Sequence, residues 1–220
     1  MTTPTTTVTT TAARDMLIWE TLLERLADSD DDEGQLAALR VLAALDTDDL
    51  PIEAITTVLL DQTQDEDGTL HLADSDDLWS EGLNLIECDP DRVPLEPVIA
   101  VLRAAFMNGT DTQMLLDLIG KLRGIDHPEP FIDLLTDAEP LIRQAGLEAM
   151  YRLSLSAPIL PLLEDPDPDT RALAVENAWV LHALTLDELQ AFLYDDQPQA
   201  VRDMAQSYLD SAAKAQAQVK

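Results

Sequence analysis

Apolar residues in this chain recur at spacings of three and four, not two. Met16, Trp19, Leu22, Leu23 and Leu26 make one such stripe. Leu36, Leu39, Leu42, Ala43 and Leu45 make another after the acidic break from Asp28 to Gly34. That spacing gathers side chains on one face of an α-helix, so the pattern predicts helices from about Ala12 onward. Their starts are punctuated by a proline just behind an acid, as in Asp49 with Pro51, Asp126 with Pro128, Glu139 with Pro140, Asp167 with Pro168 and Asp196 with Pro198. Proline at the first helical position forfeits no helical hydrogen bond, and a carboxylate there meets the positive end of the helix dipole. The reading is about twelve helices in six antiparallel pairs: 12–27 with 33–46, 50–62 with 76–88, 93–108 with 110–123, 128–137 with 139–154, 156–165 with 167–183, and 186–195 with 198–215. Short connections turn each helix back on its neighbour. Thr63 to Ser75, acidic and without period, is expected to be a mobile loop, and the threonine-rich residues 1–11 a disordered tail. That leaves 12–220 as a single domain.

The second half repeats itself. Laying the segment from Phe131 to Arg143 over that from Ile159 to Arg171 superposes Asp137 on Asp165, Pro140 on Pro168 and Arg143 on Arg171, at a shift of 28 residues. A third copy with Asp196 and Arg202 follows at a shift of 31, its proline Pro198 one position early. Each copy runs on into a helix that carries a small residue part-way along: Gly146, Ala174 or Ala205. The sequence of paired leucines, Asp, a β-branched residue with Arg, then small residues among Glu and Leu resembles the HEAT-repeat family, in particular its short phycobilisome-lyase-like variety. The resemblance covers about residues 128–212, and Thr170 is a departure from its usual Val or Ile. It implies an all-α, right-handed solenoid of about six helix pairs. It also implies structural pairings of Asp137 with Arg143, Asp165 with Arg171 and Asp196 with Arg202, the Asp capping the inner helix and the Arg crossing the turn or reaching the neighbouring Asp. Residues 12–123 join this scheme through helix pairing alone, as degenerate repeats. One pair cannot bury its apolar face by itself, whereas a stack makes a continuous core.

Composition sharpens the picture. Hydrophobic residues reach 46% and aromatic ones only 4%, so the apolar content is mostly Leu and Ala, which suits helices. Against 13 basic residues stand 43 acidic ones, for a net charge of -30. Such a surface repels phosphates and anionic headgroups, which argues against nucleic acid or a membrane as partner. Two accounts of the acidity remain: a halophilic, salt-adapted surface, or a surface made for a basic partner. The first is favoured because residues 1–110 and 111–220 both carry the excess. The one cysteine, Cys88, gives no internal disulfide. With no secretory signal at the N-terminus and no apolar run of bilayer length, the chain is expected to be cytoplasmic.

Candidate chemistry is sparse. His71, His127 and His182 lie far apart, and Cys88 has no CxxC partner. The acidic loops at Asp28–Gly34 and Asp65–Gly68 lack the glycine and terminal glutamate positions of a calcium loop. GxGxxG, GxxxxGK and GxSxG are all missing. No catalytic, cofactor or metal residue is assigned, and a non-enzymatic protein is expected. The inner helices offer more. Gln144, Glu148, Tyr151 and Arg152 share a face in one copy, and Glu176, Trp179 and His182 share a face in the next, with Tyr151 superposing on Trp179. Rings on an inner face are typical interface anchors, although Trp179 could equally pack between repeats. The leading expectation is a scaffold or adaptor that holds another protein on its inner face. The alternatives are an acidic inhibitor or immunity-type protein for a basic partner, and a bilin lyase-like protein, the last implied by the family resemblance alone.

Overall fold

The computed structural model describes residues 7–28, 31–45, 50–60, 62–64, 70–72, 76–109 and 112–218. Among them the chain is helical apart from one short strand pair. In order the elements are α1 (Thr7–Leu26), α2 (Asp32–Ala44), α3 (Ile52–Leu59), β1 (Gln62–Gln64), β2 (Leu70–Leu72), α4 (Asp76–Ile86), α5 (Leu95–Asn108), α6 (Gln113–Lys121), α7 (Glu129–Asp133), α8 (Pro140–Leu153), α9 (Pro168–Val180), α10 (Leu186–Ala191) and α11 (Gln199–Gln218). Tighter 3-10 turns occupy Pro90–Arg92, Leu134–Thr136 and Ala157–Glu164. No described helix is long and apolar enough to cross a membrane.

Three expectations change here. The chain divides into two compact units, Met1–Pro97 and Val98–Lys220, in place of one domain over 12–220. Helix α1 begins at Thr7, inside the stretch read as a tail, while residues 1–6 lie outside the described residues. Within the expected loop from Thr63 to Ser75, β1 and β2 pair antiparallel, with Gln62 opposite Leu72 and Gln64 opposite Leu70. β-branched Thr63 pairs with His71 in this ladder, and alternation over so few residues was too short to show a period of two. Residues 65–69 and 73–75 lie outside the described set.

In the first unit α1 packs on α2 and α3, and α4 packs on α2 and α3. The stripe read from sequence is only partly the buried one: Leu22 and Leu26 are buried, but Leu23 is 41% exposed. Asp31 caps α2 by accepting the Gly34 N–H at 2.9 Å, so the acidic break serves as a helix start.

In the second unit α8 packs against α6 on one side and α9 on the other, and α9 packs against α11. These second helices of successive pairs form one row. The shorter elements, α7 with its 3-10 extension, the turn Ala157–Glu164 and α10, pack behind α8, α9 and α11. The small residue inside each copy's helix is explained by this crossing. A Cβ on Gly146 would sit 2.9 Å from the Cβ of Leu134 and 3.1 Å from the backbone nitrogen of Leu135, so α8 approaches the 3-10 turn at a distance only glycine allows. Ala174 and Ala205, fully buried, stand at the corresponding points of α9 and α11.

Both central helices end alike. Ser154 and His182 adopt left-handed backbone, with φ of 60° and 59°. After each, the next N–H returns to a carbonyl five residues back, Leu155 to Met150 and Ala183 to Ala178, the bond that closes a Schellman-type C-terminus. The two ends lie 28 residues apart, the same shift as the sequence repeat. N-termini differ more. Asp167 caps α9 through the Thr170 N–H, whereas Glu139 makes no side-chain cap on α8.

Candidate docking face on the inner helices

The expected Asp and Arg pairs take their geometry from the turns between helices. The Arg143 guanidinium forms a two-pronged ion pair with Asp165, Nε to Oδ2 at 2.8 Å and Nη2 to Oδ1 at 2.7 Å. Its remaining nitrogen donates to the main-chain carbonyls of Asp137 and Ala138. Arg171 repeats only the second half of this: it donates to the Asp165 carbonyl, while Nη1 meets the Gln197 side-chain oxygen at 3.2 Å. Arg202 donates to the carbonyls of Asp195 and Gln197 and to the Gln199 side chain, not to Asp196. The pairing implied for Asp196 is therefore corrected. Early Pro198 shifts the third turn, and Gln197, not Asp196, receives the arginine of the preceding copy.

The capping role expected of the motif aspartates is corrected as well. Asp137 and Asp165 each accept the N–H two residues on, from Glu139 at 3.0 Å and Asp167 at 2.9 Å, so they tighten the turn before the helix. Asp137 also receives Arg103 of α5 at 2.6 Å. The Glu139 N–H, then Arg103, hold the Asp137 carboxyl below its ordinary range. Arg103 thus does for the first copy what Arg143 does for the second. No sequence match revealed it, although an Asp equivalent to Asp165 called for an arginine from the preceding pair.

The row α6, α8, α9, α11 carries the polar and aromatic residues expected on the inner face. Gln144 of α8 donates to the hydroxyl of Thr170 in α9 at 3.3 Å. Arg152 is drawn toward α6, its Nη1 meeting Asp117 Oδ1 at 3.1 Å, and its Nε is buried without a hydrogen bond. Glu148, one turn earlier, is mostly buried and makes no hydrogen bond or ion pair among the described residues. Burial pushes its carboxyl above the ordinary range, Arg152 pulls it down, and Glu176 of α9 pushes it up further. Glu176 accepts the Tyr208 hydroxyl of α11 on Oε1 at 2.8 Å. Burial and then that carboxylate push the Tyr208 hydroxyl up to about 12, and Tyr151 adds to the shift.

The two rings that superpose in sequence differ in setting. Tyr151 is exposed at 36%. Trp179 is half-buried and packs against a cluster of Ala172, Val175, Leu189, Val201 and Ala205. His182 is exposed and serves the left-handed helix end. Comparison with family models, curated proteins and solved structures found no match. Sequence reasoning missed Tyr208 and Asp117. Tyr208 sits in the third copy's helix and was legible as its aromatic position, near the place of Tyr151 and Trp179. Asp117 lies on α6, ahead of the segment in which the sequence repeat can be matched.

This face offers the carboxylates of Glu148 and Glu176, an exposed phenol ring and a half-buried indole across adjacent helices. The other prominent surface, in the first unit, is apolar: Leu17, Ile18 and Val41 stand exposed around a shallow groove between α1 and α2.

Proposed function

We propose that this chain is a non-enzymatic scaffold or adaptor that holds another protein on the face formed by α6, α8, α9 and α11. The proposal includes a HEAT-like, right-handed stacking of helix pairs. Three features support that arrangement: pairs in both units, an inner row of neighbouring helices, and helix ends that recur at the sequence shift of 28 residues. The observation that carries the binding reading is the combination of exposed Tyr151 with the unpartnered, mostly buried carboxylate of Glu148 on one face. Exposed aromatic rings contribute heavily to interfaces because they bury much surface at small entropic cost.

The partner should be basic. A net charge of -30 makes the approach of an acidic protein unfavourable and that of a basic one fast. The same charge supports a second reading, an inhibitor or immunity-type protein that occludes a basic protein, which would use the same face.

Tyr151→Ala is the test. It should weaken retention of the partner at least about tenfold, roughly 1.4 kcal/mol, while the matched truncation of exposed Tyr194, in the turn after α10, should not. Trp179→Ala is unsuited, because its ring packs on the core cluster. Equal retention by wild type and Tyr151→Ala across a salt series would remove α8 from the interface.

A further inference from the structure

We propose that the inner face recognises an arginine of a basic partner segment, its guanidinium taken by Glu148 and Glu176 while the Tyr151 ring covers the planar face. This rests on the docking reading above and adds the chemistry of the group that docks.

Several observations converge on these three residues. Glu148 lies on α8 and Glu176 on the adjoining α9, near enough for each charge to be felt by the other. The chain has a cation within reach, Arg152 one turn along, yet its Nη1 is committed to Asp117 of α6. Glu176 is positioned by the Tyr208 hydroxyl on Oε1, and its Oε2 accepts no hydrogen bond among the described residues. Two carboxylates on adjoining helices, neither with all its hydrogen-bonding capacity used among the described residues, therefore lie within electrostatic reach of one another. Elsewhere in this unit, carboxylates that are buried or partly buried are matched: Asp165 by Arg143, and Asp167 by the Thr170 N–H and hydroxyl. Glu148, by contrast, is partly buried and accepts no hydrogen bond among the described residues, and only the charge of nearby Arg152 offsets part of the lost hydration, which costs the free chain stability.

An arriving cation reverses that cost. It stabilises both carboxylates at once and relieves their mutual repulsion. Arginine fits better than lysine. Its planar fork of N–H groups can serve two carboxylates on neighbouring helices, and its weakly hydrated face stacks on a phenol ring. A lysine ammonium would satisfy the charge but neither the fork nor the stack.

The experiment uses the full chain and three synthetic dodecapeptides identical but for arginine, lysine or citrulline at alternate positions. Binding is followed by calorimetry at about 0.15 M salt, where contacts beyond the Debye length are screened. Wild type should bind the arginine peptide at least about fivefold more tightly than the lysine peptide, with citrulline weakest. Glu148→Gln should lose about tenfold and erase the arginine preference. Glu164→Gln, an equal charge change on the exposed 3-10 turn, should lose less than about twofold. Tyr151→Ala, a truncation at an exposed site, provides a second variant and should narrow the arginine preference. Equal losses for Glu148→Gln and Glu164→Gln, or no arginine preference in wild type, would overturn the recognition. Amide hydrogen exchange with the peptide bound separates the two levels. Protection on α8 and α9 with no effect of Glu148→Gln sinks the arginine site and leaves the docking face standing, and binding without protection there sinks both.

Discussion

The copies at 137–154 and 165–182 share a sequence motif and a helix end, yet their arginines do different work. Arg143 is buried at 8% exposure and closes a two-pronged ion pair with Asp165. Arg171, half-buried, finds only a neutral amide oxygen in the next copy, Gln197. What they share is local: each donates to main-chain carbonyls five or six residues back, at the turn before its own helix. The motif therefore encodes the turn, and the identity of the next copy decides whether an ion pair is added. Asp165 accordingly belongs to two arginines at once, through its side chain to Arg143 and through its carbonyl to Arg171.

The largest effect expected from this contrast is on stability. Arg143→Met leaves the Asp165 carboxylate, itself 7% exposed, without its cation, and breaking a buried pair costs about 3–5 kcal/mol. Arg171→Met removes hydrogen bonds to carbonyls that can take water instead, and should cost about 1–2 kcal/mol. Urea melts of the two variants check the ranking. Equal costs would mean that the carbonyl contacts, not the ion pair, hold the copies together. Adding Asp165→Asn to Arg143→Met should recover part of the loss, since the buried charge is gone.

A smaller effect concerns the inner face and depends on pH. The folded Glu148 carboxyl binds its proton more tightly than an ordinary carboxylate, mainly through burial, with Arg152 opposing and Glu176 adding to the shift. Stability from this group is full at low pH and is lost as pH rises from the ordinary carboxylate range through the raised value. Glu148→Gln should therefore melt higher than wild type at neutral pH, with the gap closing as pH falls into the carboxylate range. Asp137 and Asp167 work in the other direction. They are held low chiefly by the Glu139 and Thr170 N–H groups, so their contribution is lost as pH falls below the ordinary range. A wild-type profile that is flat where Glu148 titrates would show that the carboxyl is solvated, and would weaken the case for it as a held-open site.

The helices and the 28-residue shift were legible because a period of three to four and a repeated Asp, Pro and Arg survive averaging over many residues. Exact partners were not. Moving Pro198 by one position was enough to hand the role expected of Asp196 to Gln197, and side-chain reach across a turn is sensitive to that one step. Arg103 escaped notice because α5 lies before the segment that carries the motif, so no repeat position pointed to it. On the docking face, Tyr151 and Trp179 read as equivalents, but the cluster of Ala172, Val175, Leu189, Val201 and Ala205 gives the indole apolar neighbours to rest on. Tyr151 has 36% exposure on the same row. Such a difference depends on the next copy's side chains, not on the motif's own spacing.

The smallest effect tests whether the copies are equivalent where they look most alike. Ser154 and His182 each hold a left-handed backbone at a helix end, and both side chains are exposed, so little contact is lost on removing them. A side chain in that conformation costs roughly 1–2 kcal/mol relative to glycine, part of which the greater freedom of glycine in the unfolded chain takes back. Ser154→Gly and His182→Gly should each stabilise by about 0.5–1 kcal/mol, a rise of about 1–4 °C in melting temperature. Because the two sites share no partner, the double variant should gain close to the sum. Valine at either position should lose stability, since a β-branched residue tolerates positive φ poorly. A gain at Ser154 without one at His182 would break the equivalence. The imidazole would then have an energetic role at the end of α9 that its exposure does not reveal, whereas matched gains would tie the 28-residue shift to the backbone itself.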